Sequence, residues 1–136
     1  MKWSVVIWGQ PVSWDAAYRT MKLPVRRKTG PVLNTDGSQK MIHRPGKTDE
    51  ATEYQRGAQI IIQAAAPSGW SPQGQVRMVV DLYLAHDMDD DNAMKLLRDT
   101  VQKATGVDDM RFLACTRKKE IVSESEARIV LTFEDL

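Results

Sequence analysis

The densest run of chemically capable side chains lies between His86 and Lys95, where Asp87, Asp89, Asp90 and Asp91 precede Asn92 and Lys95. Carboxylates at alternate positions of a chain leaving a strand project to the same side, so Asp89 and Asp91 can converge on one hard cation. Like charges this crowded repel each other unless something positive joins them, and a divalent ion is the simplest remedy. Magnesium held by few carboxylates keeps water in its shell, which suits hydrolysis. Lys95, four residues beyond Asp91 on a helix, lies about one turn above that carboxylate. A cation there can offset the charge that grows on a phosphate under attack. The plainer reading makes Asp91 or Asn92 a helix N-cap, leaves the other acids solvated and gives Lys95 an ordinary surface ion pair.

Other templates fit poorly. Asp87, Asp89 and Asp91 match the first three alternating ligands of a calcium-binding EF-hand loop. The sixth place would then be Asn92, where the turn needs glycine, and the twelfth Arg98, where a glutamate must close the loop. There is no glycine-rich phosphate loop and no paired-cysteine zinc motif, and the two histidines, His43 and His86, are far apart. His86 reads as a polar loop residue.

Composition sets the frame for this cluster. A chain of 136 residues with 42% hydrophobic and 27% charged residues is expected to form one globular domain over 1–136. Cys115 is the lone cysteine, and the N-terminus lacks the apolar stretch of a signal peptide or membrane span. These features predict a cytoplasmic protein with no membrane partner. The net charge of +1 says little about partners, but its distribution says more. Arg19, Lys22, Arg26, Arg27, Lys28, Lys40, Arg44 and Lys47 share their stretch with Asp36 as the only acid, whereas acids concentrate from Asp81 to Asp109. That division suits a protein that grips a polyanion and holds a cation against it, although a solvated basic loop reads the same way.

The elements that must position these residues follow from periodicity. Trp3, Val5 and Ile7 alternate in a first strand over 2–8. Residues 10–46 are rich in proline and glycine and predict a long basic loop or arm, with room for a short hairpin around Val32 and Met41. A helix starts near Thr48, with Asp49 and Glu50 in its first turn. Its apolar face is Ala51, Tyr54, Ala58, Ile61, Ile62 and Ala65, and Pro67, Ser68 and Gly69 end it. Val76, Met78, Val80, Leu82 and Leu84 mark a long strand leading into the acidic cluster. A second helix over 91–105 presents Met94, Leu97, Val101 and Ala104 and stops at Gly106. Strands over 112–122 and 127–134 close the chain. The expected class is α+β, order βαβαββ, with a mixed sheet, helices on one face, and a parallel pair demanded by the first crossover.

The pattern D-x-D-N-x-x-K at Asp89 to Lys95, followed after a helix by G-V-D-D at Gly106 to Asp109, resembles the RusA family of Holliday junction resolvases. G-x-P-x-S at Gly9 to Ser13, with Tyr18 and Arg19, is similar to that family's N-terminal segment, and residues 127–134 to its closing strand. The resemblance implies a RusA-like homodimer that binds four-way branched DNA and, with magnesium or manganese, cuts two strands symmetrically near the crossover. It carries catalytic roles to Asp89, Asp91, Lys95 and Asp109, and metal-holding roles to Asp89, Asp91, Asp109 and neighbouring Asp108. The basic residues between Arg19 and Lys47, with Arg117, Lys118 and Lys119, would then hold the DNA backbone, and Trp14, Tyr18 and Trp70 are candidates to stack on unpaired bases. The chain departs from the family at His86, Asp87 and Met88, where basic residues are common, at the extra acid Asp90, and at Asp15, where asparagine is more usual.

Helix length poses a geometric question. A helix over 91–105 separates its ends by roughly 20 Å. Either it ends early and the chain doubles back, or Asp109 of the partner subunit completes the site. The rival functions are a non-enzymatic branched-DNA-binding protein, whose acids merely cap a helix, and a calcium-binding structural module.

Overall fold

The computed structural model describes the backbone of residues 1–136 and all side chains except those at positions 14, 15, 18–23 and 43–45. It is a mixed α+β structure. In chain order the elements are β1 (Lys2–Trp8), the single turn α1 (Trp14–Ala17), β2 (Tyr18–Pro24), β3 (Arg26–Arg27), β4 (Gly30–Pro31), β5 (Met41–Lys47), α2 (Asp49–Ala65), β6 (Val76–Leu84), α3 (Asp90–Thr105), β7 (Phe112–Ile121) and β8 (Arg128–Asp135). Short 3-10 turns at Asp109–Arg111 and Glu124–Glu126 precede β7 and β8.

The main sheet has the order β1-β8-β6-β7. β8 runs antiparallel to both β1 and β6, and β6 runs parallel to β7. The parallel pair is therefore made by the second crossover, through α3, and not by the first as the element order suggested. β7 and β8 pair with opposite sides of β6, and β8 fills the place between β6 and β1.

Alternation along each strand decides what the sheet buries. Val5 and Ile7, Val76 through Leu84 at every second place, and Ile129, Leu131 and Phe133 point to one face. Ala58 and Ile62 of α2 and Leu97 and Val101 of α3 close over them in one core. Phe133 lies at its centre, stacked on Trp3 with ring centroids 4.4 Å apart and flanked by Trp70 and Phe112. Trp70, partly buried against this core, also donates its indole N–H to Asp135 at 3.0 Å. Trp14 and Tyr18 lie outside the described side chains.

The helices begin and end where their caps dictate. Thr48 caps α2, accepting from the Ala51 N–H, and Asp49 and Glu50 occupy the positive end of the dipole. The buried stripe of α2 is Ala51, Gln55, Ala58 and Ile62, so Ile61 and Ala65 face solvent instead of completing the expected apolar face. Gln55 is buried because it bridges elements: its Nε2 donates to Asp99 of α3 at 2.7 Å, and its Oε1 accepts from Lys47 at the foot of β5. α3 buries Ala93, Leu96, Leu97, Thr100 and Val101, a wider stripe than expected, with Met94 and Ala104 at its margins. It ends at Gly106, whose φ of 74° is left-handed.

Residues 10–46 are more ordered than a loop. β2 and β5 form an antiparallel ribbon from Tyr18↔Lys47 to Pro24↔Met41, β3 and β4 make a small hairpin beyond it, and Leu33 bridges Gln39. The prolines and glycines that argued against strands sit largely at ribbon ends and turns, where a missing N–H or a positive φ costs little. Among the described residues no helix is long and apolar enough to cross a membrane.

Candidate functional site

β6 delivers the chain to the acidic cluster. Gln10 fixes that exit: its Oε1 accepts from the Ala85 N–H at 2.7 Å and its Nε2 donates to the His86 carbonyl at 3.0 Å. α3 then starts on Asp89, whose carboxylate accepts from the Asp91 N–H at 3.1 Å. The residue that caps the helix is thus Asp89, with Asp90 and Asp91 in the first turn at the positive end of the dipole. Lys119 reaches in from β7 to pair with Asp87 at 2.8 Å. That hydrogen bond holds the Asp87 carboxyl below its ordinary pKa and raises the Lys119 ammonium, which Asp90 and Asp89 raise further.

One turn along, Asp91, Lys95 and Arg98 follow each other on the same side of α3. With Asp90 and Met94 they line an open groove of about 370 Å³, closed on its other side by Ala114, Cys115 and Thr116 of β7. β7 is an edge strand, so this groove opens sideways at the margin of the sheet. A carboxylate beside two cations in an open cleft can take a phosphate through the cations and orient a metal or water through the acid. Arg98 was missed in the sequence, although its spacing of seven from Asp91 and three from Lys95 is a helical stripe.

Asp108 and Asp109 lie at the other end of α3. Asp108 caps the 3-10 turn, accepting from the Met110 N–H at 3.0 Å, and the Asp109 N–H donates to Gln102 Oε1 at 3.2 Å. Arg111 anchors this turn by donating to the Gly74 and Pro72 carbonyls. Met110, between these acids and the anchor, is 85% exposed. α3 does not end early: it runs unbroken for 16 residues and holds the two acidic groups roughly 20 Å apart along the axis. Among the described residues no three histidine, cysteine, aspartate or glutamate side chains converge as a metal would require. The donors suit magnesium chemically, but one chain's acids do not fit around one ion.

The basic residues divide. Arg26, Arg27, Lys28 and Lys40 are exposed on the arm. Lys47 turns inward to Gln55 and Asp99, and the Arg19, Lys22 and Arg44 side chains lie outside those described. The register shift between Val80 and Asp81 leaves Arg117 without a strand partner, so Arg117 and Lys118 share one face of the sheet and Lys119 takes the other. Lys119 joins the acidic cluster, while Arg117 donates twice to the buried Asp81, at 2.6 and 3.0 Å, on the far face. His86 contacts Glu124 at 3.6 Å and approaches none of the candidate acids as a metal group would.

Compared with known proteins, the chain matches no family model and no curated sequence.

Proposed function

We propose that the protein is a RusA-like, magnesium-dependent endonuclease of four-way branched DNA, active as a homodimer. The observation that carries this reading is the groove in which Asp91, Lys95 and Arg98 stand together at an open sheet edge. Asp91 and Asp89 would supply half of a metal site and the partner subunit's Asp109, with its Asp108, the other half. β7 offers the means. Asp109 immediately precedes that strand and the Asp87–Lys119 pair lies toward its end, so antiparallel pairing of two β7 edges brings one chain's turn beside the other chain's groove. The exposed Met110 and the acids around it match a groove containing Met94, Lys95 and Arg98. The ion would neutralise phosphate charge and activate water. Exposed arginines and lysines of the arm would hold the DNA backbone by shape. The test is a synthetic four-way junction: magnesium-dependent nicking, lost in Asp91→Asn while binding persists, supports the enzyme, and binding without cleavage at any divalent ion concentration overturns it.

A second reading is favoured by the caps. Asp89 and Asp108 each satisfy a helix start, so both have structural employment without a metal. A non-enzymatic branched-DNA-binding protein would need no more. It predicts junction binding that is indifferent to magnesium and to Asp91→Asn.

A further inference from the structure

The helices cover one face of the main sheet and leave the other to solvent, and that open face carries a row of planar and cationic groups. Trp8 of β1 lies opposite Arg128 of β8, which lies opposite Tyr83 of β6, so the three stand side by side on adjacent strands. The Arg128 guanidinium sits 3.9 Å from the Tyr83 ring centre and 5.3 Å from that of Trp8. Lys118 continues the row from β7, its ammonium 5.1 Å from the Tyr83 ring. Trp8 is 62% exposed, although an indole is among the costliest side chains to leave in water.

We infer that this open face binds an unpaired polynucleotide strand, with bases stacking on Trp8, Tyr83 and the Arg128 guanidinium. Strand alternation, with the bulge at Arg117, places Lys2, Arg77, Arg117, Lys118 and Arg128 on this face against Asp81, Glu120 and Glu134. Each of those acids is already paired, with Arg117, Lys118 and Arg77 respectively. Arg128 makes no carboxylate contact among the described residues; it donates to the Glu126 carbonyl and lies on the two rings. The face therefore offers surplus positive charge to a backbone and flat surfaces to bases, the two requirements of single-strand binding. A second copy of the chain is a poorer occupant, because packing two such faces would bury Arg128 and its charged neighbours at the centre of the interface, where charges are depleted. This inference does not rest on the nuclease reading. It concerns the opposite side of the sheet from the α3 groove.

The test is fluorescence anisotropy of labelled oligo-dT and oligo-rU of about 15 nucleotides at low salt. Trp8→Ala and Arg128→Gln should each weaken binding by about five-fold or more, and Trp8→Phe, which keeps a stacking ring, should recover most of the loss. Ile60→Ala, on the exposed surface of α2, should bind like the parent. Preference for one oligomer over the other identifies the strand as DNA or RNA. Thermal unfolding establishes that each variant is folded, and should Trp8→Ala fail, Arg128→Gln and Trp8→Phe still decide. Parental affinity in folded Trp8→Ala or Arg128→Gln overturns the inference, as does absence of binding by the parent. A change of sedimentation mass on Trp8→Ala, marking the face as a contact between chains, overturns it equally.

Discussion

Asp91 lies in the first turn of α3 and Asp109 in the turn beyond its far end, with roughly 20 Å of uninterrupted helix between them, so in the proposed nuclease an ion shared by both acids would join different chains. Mixing Asp91→Asn chains with Asp109→Asn chains tests this for the nuclease. In a mixed dimer one site loses both acids and the other keeps both, so single nicks should return to a junction that neither variant cuts alone. Mixtures as inert as their components would place all the chemistry in one chain and overturn the shared site.

Arg117 and Asp81 form a pair of unequal exposure: the Asp81 side chain is 7% accessible and that of Arg117 64%. Asp81 occupies a strand position where the carboxylate is out of water, and Arg117 reaches it because the bulge in the β6–β7 pairing frees one extra residue there. Arg117→Ala leaves a buried charge without its partner and should cost about 2–3 kcal/mol in denaturant unfolding. Removing both groups together, as in Asp81→Leu with Arg117→Leu, should cost much less. Equal losses in the single and double variants would show that the pair itself, and not the orphaned carboxylate, sets the penalty.

Much of this architecture was legible in the residues. Val76 to Leu84 and Ile129 to Phe133 alternate cleanly because one face is dry, and Thr48, Gly106 and the Pro67–Gly69 stop punctuate the helices in the usual places. Strand order was not legible, since it depends on which partner edge β8 finds and not on any local pattern. The ribbon of residues 18–47 was hidden because Pro24, Pro45 and Gly46 break the strand signature, although edge strands tolerate them. At the site, spacing singled out Asp89, Asp91 and Lys95, and α3 carries all three at its N-terminal end, with Asp89 as the cap and Asp91 and Lys95 in the groove. Trp8 was passed over because the neighbouring Trp3, Val5 and Ile7 define the buried parity of β1, leaving its opposite parity unread.

Lys47 contacts Gln55 and Asp99 while its ammonium is held below the ordinary lysine range, first by desolvation and next by Lys103. A folded state that binds this proton less tightly than the unfolded chain is penalised at neutral pH, and it regains stability as pH rises through the depressed value toward the ordinary one. Lys47→Met keeps the apolar stem and removes the charge, and Gln55 Oε1 retains a donor in Lys103 at 3.4 Å. The variant should be at least as stable as the parent at pH 7, with its advantage shrinking in alkaline solution. A parent that is more stable at pH 7, or a difference flat with pH, counts against this account. Junction affinity should hardly change, because the side chain faces inward.

Gly106 decides how α3 hands the chain to Asp108 and Asp109. Its φ of 74° and ψ of 3° are left-handed, and its N–H donates back to the Gln102 carbonyl to close the last turn. An added Cβ would meet nothing within 4 Å, so the cost of a side chain there is conformational and not steric crowding. Gly106→Ala should lose about 1 kcal/mol of stability, and Gly106→Asn less, since asparagine tolerates this region better than alanine. Relief of the strain would swing the following turn, although the Gln102 and Arg111 hydrogen bonds resist that movement. If the turn enters the partner's groove, junction cleavage by Gly106→Ala should fall further than its folded fraction does, with recovery in Gly106→Asn. Cleavage that merely tracks folded protein would detach the position of Asp109 from the chemistry.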